Sequence, residues 1–484
     1  MREPSPDPSA GRPADPFDVD LERAEATLLR QAGSGPRYTS YPTAPAWSER
    51  YDARAFREDL AALDPAASPG LSLYVHVPFC RSLCHFCACN RVITRKPEPP
   101  ARYLDAIVRE IAAVREALPA GAAPVVQHHW GGGTPTHLQP AQITRLFGAL
   151  SEAFPHAADA EISIEVDPRV TTEAHLDALR ACGFHRISLG VQDFDPRVQE
   201  AVHRIQPVAQ TAALVESARR RGFDSVNLDL IYGLPVQTQE TFARTLEEVV
   251  AIAPDRIALY GYAHVTWVAK QQRGFERKDL PSPRARIGIF VAALRRLREA
   301  GYLYIGLDHF ARPGDELARA LAERTLRRNF MGYTTREGTE LLGFGPSAIS
   351  ELTFAGGSSY AQSRRDLPAW HEAVEDGRLA TLRGHRLSRD DLERRFAIQR
   401  LMCHGELRAD EFAARFGTPL AERFPDELAR LAPLEEDGLV RCAPDGSVGV
   451  TPLGRLVVRN VAMAFDAYLP GQQRAERPLF SQTV

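Results

Sequence analysis

From about residue 70, short apolar runs alternate with longer amphipathic stretches, and this alternation constrains the fold more than any other feature. Patterns with helical spacing lie between the runs, for example over 103–118 and at Ile287, Val291, Leu294 and Leu297. Strands that alternate with helices predict parallel βαβ units with right-handed crossovers. We therefore expect an α/β fold with about six βα units. The apolar runs are SLYVHVP, VVQHHWGGG, EISIEVDP, RISLGVQDF, SVNLDLIYGLP, RIALYGYAHV and YLYIGLDHF.

The same alternation is compatible with a flat doubly wound sheet or with a partial or full β/α (TIM-like) barrel. The polar residues favour the barrel, because they cluster where the predicted strands end. In a barrel the carboxyl ends of the strands converge on one mouth, where active sites form. We therefore expect a site at that mouth. The positions that mark these strand ends are Tyr74, Trp130, Glu165, Gln192, Asp229 and Ala263.

The flanks of this region differ from it in pattern. Residues 1–35 are expected to be a disordered or helical lead-in, and 36–380 a catalytic domain that begins with an N-terminal strap. Residues 381–484 contain short helices and a hairpin with an Asp445–Gly446 turn, which resembles a small, mostly helical winged-helix module. Winged helices often bind DNA, but acidic residues nearly balance the arginines here. We expect a lid or packing role.

Composition excludes some classes of partner. The net charge of -3 gives no reason to expect bulk binding to nucleic acid or to an anionic membrane. No apolar run is long enough to span a bilayer. The Pro-rich, acidic start MREPSPDPSAGRPADPFDVD does not resemble a signal peptide. A cytoplasmic protein that does not insert into membranes is expected.

Cys80, Cys84 and Cys87 form a C-x3-C-x2-C group directly after a predicted strand. Thiolate ligands select iron–sulfur clusters and zinc, but zinc normally takes four ligands in paired C-x2-C units. A redox pair would need only two cysteines, and buried apolar cysteines rarely crowd this closely. Three thiolates on a [4Fe–4S] cluster leave one iron open for another ligand. The scattered Cys182, Cys403 and Cys442 are expected to be core residues.

This cysteine spacing, placed at a strand end that opens a β/α series, resembles the radical S-adenosylmethionine superfamily. The resemblance extends from about residue 35 to near the C terminus and is most similar to the oxygen-independent coproporphyrinogen III oxidase family. It implies that a [4Fe–4S] cluster cleaves S-adenosylmethionine to a 5′-deoxyadenosyl radical. It further implies conversion of two propionates of coproporphyrinogen III to vinyl groups, giving protoporphyrinogen IX. The segments that carry it are RYTSYPTA, LYVHVPFCRSLCHFCACN, HWGGGTPTHL, AEISIEVDPR, FHRISLGVQDF, NLDLIYGLP, LDHFARPGDELA, RNFMGYTT and LLGFGPSAIS.

The resemblance also implies a site with two S-adenosylmethionine molecules. The contacts of the molecule on the cluster match Tyr74, Gly132, Glu165 and Ile349. Those of the second molecule match Phe86, Gly133, Thr134, Gln192, Arg204, Asp229 and Ala263. The implied catalytic group is Tyr74, Glu165, Cys89 and Phe330.

Chemistry offers a second interpretation for several of these residues. Glu165 and Asp229 suit ribose hydroxyls but are also residue types of helix caps and ion pairs. Arg204 suits a bidentate carboxylate but is also compatible with a solvated surface position. The glycine loop Gly131–Gly133 permits close approach of a ligand, or is simply a tight turn. Phe86 and Tyr74 are equally compatible with the core.

Two residues bear on the choice between related functions. Cys89 favours catalysis, because relatives that bind haem usually lack a fourth cysteine in this C-x-C arrangement. Met331 stands where the family has a glutamine, and its thioether cannot donate a hydrogen bond. The alternatives are therefore a haem-binding chaperone or a radical enzyme that acts on another tetrapyrrole.

The implied partners are coproporphyrinogen III and a flavodoxin- or ferredoxin-like electron donor, and the chain is expected to be a monomer. The strip Arg37–Tyr41 offers donors and aromatic rings. It is expected either to cover a tetrapyrrole or to anchor a strap over the barrel.

Overall fold

The computed structural model describes residues 19–121, 123–267, 269–473 and 479–480. The first eighteen residues of the expected lead-in lie outside the described residues, and its second half contains a helix over Leu21–Arg30. The strands are β1 Leu71–Val77, β2 Phe79–Cys80, β3 Val92–Ile93, β4 Val125–Gly132, β5 His156–Val166, β6 Arg186–Gln192, β7 Ser225–Tyr232, β8 Arg256–Gly261, β9 Leu303–Gly306, β10 His309–Ala311, β11 Arg327–Asn329, β12 Gly332–Thr334, β13 Glu340–Phe344, β14 Ile349–Phe354, β15 Gly357–Ser363, β16 Thr381–Arg386, β17 Glu406–Leu407, β18 Val440–Cys442 and β19 Val448–Val450.

Helices connect and cover these strands. They are α1 Leu21–Arg30, α2 Ala53–Ala61, α3 Glu98–Ala117, α4 Pro140–Ala153, α5 Glu173–Ala181, α6 Pro196–Ala201, α7 Val208–Arg220, α8 Gln239–Ile252, α9 Pro283–Glu299, α10 Glu316–Ala322, α11 Leu367–Glu375, α12 Arg389–His404, α13 Ala409–Phe416, α14 Leu420–Arg423, α15 Pro425–Ala429, α16 Ala432–Glu436, α17 Pro452–Arg455, α18 Val458–Met463 and α19 Leu469–Gln473.

The main sheet contains twelve of the described strands, in the order β16-β15-β14-β13-β1-β4-β5-β6-β7-β8-β10-β9. The row from β13 to β8 is parallel throughout, and helices follow β1, β4, β5, β6, β7 and β8 in turn. The sheet has two edge strands, so the barrel is partial. The expected α/β fold with about six βα units is confirmed.

Alternation within β1 explains how the sheet separates core from site. Leu71, Leu73 and Val75 are buried in the main hydrophobic core. Tyr74 and His76 point to the opposite face, where their side chains meet each other at 3.2 Å. Successive strand residues point to opposite faces. One face of the sheet is therefore covered by helices, and the other faces the interior of the partial barrel.

Antiparallel strands extend both edges, and the alternation of the sequence did not predict them. The segment YLYIGLDHF was expected to be one more strand of the parallel series. It forms the antiparallel hairpin β9–β10, and β10 pairs antiparallel with β8. Gly306, with a φ of 149°, and Leu307, with a φ of 48°, lie at its turn, where backbone in this region favours glycine. That part of the expectation was wrong, because both halves of the apolar run fit a strand and the turn is short.

The C-terminal module follows the main sheet. The strand Thr381–Arg386 pairs with β15 in the main sheet, and α12 begins at Arg389. β17 follows α12, helices α13 to α16 come next, and β18 and β19 then form a hairpin that turns at Asp445–Gly446. The three strands pair in the order β17-β19-β18. A helical C-terminal module is thus confirmed, while the expected domain limits remain a prediction.

The strip Arg37–Tyr41 joins the two parts of the molecule. Tyr38 donates a hydrogen bond from its hydroxyl to Asp466 at 3.0 Å, and the Tyr41 hydroxyl accepts one from the Ala467 amide at 3.0 Å. Both tyrosine rings are buried. The strip therefore acts as an anchoring strap, and these two rings are not free to cover a tetrapyrrole. Among the described residues no helix combines the length and the apolar character needed to cross a membrane.

Candidate active site

The three cysteines lie on the loop that connects β1 to α3, at the carboxyl end of the parallel strands. Short strands hold the base of this loop, because β2 pairs in parallel with β3 and places Cys80 opposite Ile93. Cys84 is buried, while Cys80 and Cys87 are half-buried and Cys89 is exposed. The loop thus presents its thiols at the mouth of the partial barrel, where the sequence predicted a site.

A cavity of about 290 Å³ opens beside these thiols. Most of the residues predicted for the site line this one cavity, although they come from six different strands or loops. Those residues are Cys80, Cys84, Phe86, Cys87, Cys89, Gly132, Gly133, Thr134, Glu165, Gln192, Arg204 and Asp229.

The glycine loop after β4 is shaped by contacts within the protein. Gly132 has a φ of 117°, and a Cβ there would lie 2.9 Å from the His76 ring. A Cβ on Gly133 would lie 2.8 Å from the backbone of Pro78, at the base of the cysteine loop. Glycine is therefore needed so that the turn and the cysteine loop can touch. Thr134 continues this contact, with its hydroxyl 3.5 Å from the Cys80 sulfur.

Glu165 sits at the carboxyl end of β5, between the glycine loop and two aromatic side chains. Its carboxylate accepts a hydrogen bond from the Gly132 amide at 3.3 Å and lies 3.5 Å from the His129 ring nitrogen. Burial is the largest influence on the pKa of Glu165 and raises it, but the hydrogen bond and charge of His129, the Gly132 amide and His76 together leave the pKa below its usual value. Tyr74 stacks on His129 with ring centroids 6.1 Å apart. A charged acceptor is thus held beside the cysteine loop.

Two arginines brace Cys84. Arg204 donates to the carbonyl of Gly190 at 2.5 Å and to Asp167 at 3.3 Å, and lies 3.5 Å from the Cys84 sulfur. Arg169 chelates the same Asp167 and lies 3.4 Å from the same sulfur. Arg204 is buried, so the surface position that its chemistry allowed is wrong. Within the described residues its buried Nε has no hydrogen-bond partner, which leaves one donor for a ligand.

Asp229, on β7, accepts hydrogen bonds from Asn227 at 2.8 Å and from Ser188 at 3.1 Å. Burial and the nearby charge of Glu165 raise the pKa of Asp229 to about 7. A second, inner cavity of about 140 Å³ begins at these two carboxyl groups and continues into the barrel. Met331 lines that inner cavity. The position where this chain departs from the family therefore faces the interior of the barrel.

Two further predicted residues meet through a glutamine. Gln272 donates to the carbonyl of Phe86 at 2.7 Å and to that of Ala263 at 3.1 Å. The neighbouring Gln271 donates to the Cys87 carbonyl. The segment after β8 therefore closes over the cysteine loop, which places Ala263 beside Phe86.

Ile349 and Phe330 lie on the other side of β1 and do not line the first cavity. The backbone of Ile349 packs against Gly343, and Gly343 is the register partner of Tyr74. Phe330 packs edge-on against Trp47, with ring centroids 5.8 Å apart. Ile349 is thus next to Tyr74, while Phe330 belongs to an aromatic group under the strap. The roles predicted for the site residues remain predictions.

The thiols have the chemistry that an iron–sulfur cluster requires. Burial raises the pKa of Cys80 to about 11, whereas a hydrogen bond with Cys89 lowers that of Cys87 to about 6. Within the described residues no three metal-binding side chains converge on one point. A cubane cluster takes one thiolate per iron, so its ligands need to surround a volume, and three soft donors around one cavity fit it. Cys403 is buried in the second hydrophobic cluster, against which Cys442 packs. Cys182 packs against the main hydrophobic core.

Behind the inner cavity lies a cationic group, in which Arg328 is buried and Arg37 half-buried. The guanidinium of Arg37, in the strap, lies over the Tyr260 ring at 5.5 Å and pairs with Asp308. The guanidinium of Arg328 lies over the Tyr333 ring at 4.9 Å and donates from Nε to the Arg37 carbonyl at 3.3 Å. Both rings line the inner cavity. In the described part of the chain, the buried Nη1 of Arg328 has no hydrogen-bond partner.

Sequence reasoning missed several of these residues. Asp167 and Arg169 stand in the quoted segment VDPR, directly after a strand, and that position was the available signal. Gln271 and Gln272 have no such signal, because they reach the cysteine loop from about 180 residues away in sequence. The same is true of Arg37 and Arg328, which are separated by 291 residues.

Comparison with known proteins first defines the class. The Radical SAM superfamily model matches residues 74–249, and the HemN C-terminal domain model matches 387–457. A partial β/α barrel with three cysteines at its mouth is thus a radical S-adenosylmethionine domain.

The relatives then define the particular family. The chain is 47% identical over 468 residues to the oxygen-independent coproporphyrinogen III oxidase of Escherichia coli, covering 97% of this chain and 99% of that protein. It is 43% identical to the protein of that name from Pseudomonas aeruginosa, covering 94% and 98%. A solved structure of the Escherichia coli coproporphyrinogen III oxidase, described as a radical SAM enzyme, superimposes with a TM-score of 0.86 at 45% identity, covering 93% and 99%. The chain belongs to the family of oxygen-independent coproporphyrinogen III oxidases. Membership confirms the predicted [4Fe–4S] cluster and S-adenosylmethionine as its cofactors.

Proposed function

We propose that the protein catalyses the oxygen-independent oxidative decarboxylation of two propionates of coproporphyrinogen III, giving protoporphyrinogen IX in haem biosynthesis. The observation that carries this is the similarity to relatives of that activity along nearly the whole chain, including the C-terminal module. The site supports it, because the thiols, the carboxyl groups of Glu165 and Asp229, and Arg204 line one cavity.

When bound, the cluster and S-adenosylmethionine would supply a 5′-deoxyadenosyl radical, which is the hydrogen-atom acceptor that this decarboxylation of a propionate requires. The residues of the chain bind and orient these groups. Cys80, Cys84 and Cys87 would hold three irons, and Asp167 fixes Arg169 and Arg204 next to the Cys84 sulfur. The segment after β8 holds the cysteine loop in place through the hydrogen bond of Gln272 to the Phe86 carbonyl.

We assign two S-adenosylmethionine molecules to the site, in line with two propionates. For the molecule on the cluster, the assigned contacts are Tyr74, Gly132, Glu165 and Ile349. For the second, they are Phe86, Gly133, Thr134, Gln192, Arg204, Asp229 and Ala263. Gln192 supports the second set, because it lines the cavity with a φ of 71°, a strained conformation that often occurs at functional sites. Tyr74, Glu165, Cys89 and Phe330 are the assigned catalytic group.

The remaining parts of the proposal concern partners and location. The chemistry needs a one-electron donor, for which a flavodoxin- or ferredoxin-like protein is suited. The chain is proposed to act as a monomer. A cytoplasmic location is supported by the cysteines: all seven lie in the described part of the chain, and all are free thiols.

The proposal is tested by an anaerobic assay of the reconstituted protein with coproporphyrinogen III, dithionite and S-adenosylmethionine, read by product mass. We expect protoporphyrinogen IX, with CO2 and 5′-deoxyadenosine. Cleavage of S-adenosylmethionine without vinyl products would contradict the assigned substrate. Stoichiometric, transferable binding of haem without turnover would instead support a chaperone.

A further inference from the structure

A basic surface lies on the outer side of the cysteine loop, and the assigned site does not use it. It borders an open cavity of about 700 Å³ lined by Arg81, Ser82, Arg95, Lys96, Thr134 and Arg169. The side chains of Arg81, Arg95 and Lys96 are exposed. The acidic residue that lines this cavity, Asp167, is already chelated by Arg169.

An exposed apolar residue lies within this basic surface. Ile93 is 43% exposed, which is unusual for a large aliphatic side chain in this protein. It is the last residue of β3, the short strand that pairs with β2, and precedes Arg95 by two residues. An apolar centre with a charged rim is the usual anatomy of a protein–protein contact.

The surface is coupled directly to the cluster ligands. Ile93 is the register partner of Cys80, and the Thr94 amide donates to the Cys80 carbonyl at 2.9 Å. Arg95 donates from Nε to the Arg81 carbonyl at 3.4 Å, so the two basic residues are fixed beside Cys80. Thr134 and Arg169, which line both this cavity and the first one, lie within 3.5 Å of the Cys80 and Cys84 sulfurs, respectively. A protein docked here would place its own redox group close to the iron.

We propose that this surface, formed by Arg81, Ile93, Arg95 and Lys96, is the docking site of an acidic one-electron carrier protein. The inference rests on the proposed radical chemistry, which consumes one electron for each S-adenosylmethionine that is cleaved. At each encounter the carrier loses one electron and the cluster gains it, and no covalent bond forms. Charge complementarity steers the carrier to the surface, so its association weakens as ionic strength rises.

The test is an Arg95→Glu/Lys96→Glu variant of the reconstituted enzyme, assayed by 5′-deoxyadenosine formation. With reduced flavodoxin as donor at low salt, we expect the KM for flavodoxin to rise about tenfold and most of its salt dependence to disappear. With dithionite as donor, the rate should stay within about twofold of the unchanged enzyme, because a small reductant needs no docking surface.

The matched control is Arg57→Glu/Arg441→Glu, which makes the same change in net charge at exposed positions in α2 and in the C-terminal hairpin. It should leave the flavodoxin KM unchanged. An unchanged flavodoxin KM in the Arg95/Lys96 variant, or an equal loss with dithionite, would overturn the docking site. Failure of the proposed function is distinguishable, because it would appear as absence of vinyl product in the unchanged enzyme with dithionite.

If the double variant loads less iron, Ile93→Glu and direct binding of flavodoxin to the cluster-free chain provide a second measurement. Weaker binding at low salt relative to the control variant supports the site. Equal binding contradicts it.

Discussion

At the scale of single residues, Cys84 is distinguished by the two arginines that lie close to its sulfur. It is buried, and the guanidinium groups of Arg169 and Arg204 lie 3.4 and 3.5 Å from its sulfur. Hydrogen bonds to ligand sulfurs are among the factors that set the properties of iron–sulfur clusters. Cys84 is therefore expected to be the ligand on which cluster retention depends most.

The first prediction is that Cys84→Ser abolishes the brown absorption near ~400 nm that is expected of cysteine-ligated iron. Iron per chain after anaerobic reconstitution should fall by more than half. Cys182→Ser is the control, because Cys182 packs against the hydrophobic core away from the cysteine loop. Retention of full iron content in Cys84→Ser would show that the ligand set is wrong.

Met331 is the second residue for which we predict an effect, here on substrate binding. Its side chain lines the inner cavity with Tyr260, His309 and Asp229, all of which carry polar atoms. A thioether there can accept only weakly and cannot donate, whereas an amide does both. We predict that Met331→Gln lowers the KM for coproporphyrinogen III two- to tenfold, about 0.4–1.4 kcal/mol, the range of one hydrogen bond. Met331→Leu, which lacks polar atoms, should behave as the unchanged enzyme; a KM that is equal in all three would exclude Met331 from the substrate site.

At the scale of elements, the turn between β4 and α4 packs so closely against the base of the cysteine loop that no added side-chain atom fits between them. Gly133→Ala places a methyl group 2.8 Å from the Pro78 backbone, and backbone cannot move aside as a flexible side chain can. We predict a loss of roughly 1–3 kcal/mol of stability, as for other overpacked sites, together with reduced iron loading. Thermal unfolding of the cluster-free chain and iron analysis of the reconstituted chain measure the two effects.

Gly148→Ala is the matched control for this glycine. Gly148 lies in α4 with nothing within 4 Å of an added Cβ, so alanine should be neutral or stabilising by up to about 1 kcal/mol. Equal behaviour of the two variants would mean that the cysteine loop does not depend on this contact.

The elements also show how far sequence reasoning reaches. The six βα units were predictable because strands such as β1, buried along nearly its whole length, and β7, in which buried residues alternate with half-buried ones, leave an apolar run followed by helical spacing. The strands β14 to β16 were not. GSSYAQS in β15 is almost fully buried although it contains few apolar residues, since it is enclosed between neighbouring strands and the strap. Burial there is set by tertiary contacts, which a local pattern does not contain.

The candidate site divides in the same way. The cysteine loop, the glycine turn, Glu165 and Asp229 were predictable because the carboxyl ends of parallel strands must meet at one mouth. The brace of Arg169 and Asp167 and the pairing of Phe86 with Ala263 through Gln272 depend on how loops fold over that mouth. The position of Phe330 was not predictable either, because its ring packs against Trp47, which lies six residues after the strap.

At the scale of the whole molecule, three distant segments bring arginines to the back of the inner cavity. Arg37 comes from the strap, Arg328 from β11 and Arg459 from α18. Burial and the neighbouring guanidinium of Arg328 lower the pKa of Arg459 to about 10, which shows how little water reaches the group. Asp308 compensates the charge of Arg37, whereas the buried Nη1 of Arg328 has no hydrogen-bond partner within the described residues. Buried positive charge is costly unless an anion compensates it. A substrate with four carboxylates would provide that compensation, so strap, barrel and C-terminal module together would form one carboxylate site.

The prediction at this scale is that Arg328→Gln weakens binding of coproporphyrin III, the stable oxidised form of the substrate, to the cluster-free chain about tenfold or more. Truncating one side of a buried charged contact typically costs 2–5 kcal/mol. The tetramethyl ester of the same porphyrin lacks the carboxylates, so its affinity should be low and should not change with the substitution. Arg319→Gln, on the exposed side of α10, is the control. If Arg328→Gln weakens acid and ester alike, the substitution has disturbed the cavity and not a carboxylate contact; if it weakens neither, the arginine group stabilises the junction of the three segments and the carboxylates bind elsewhere.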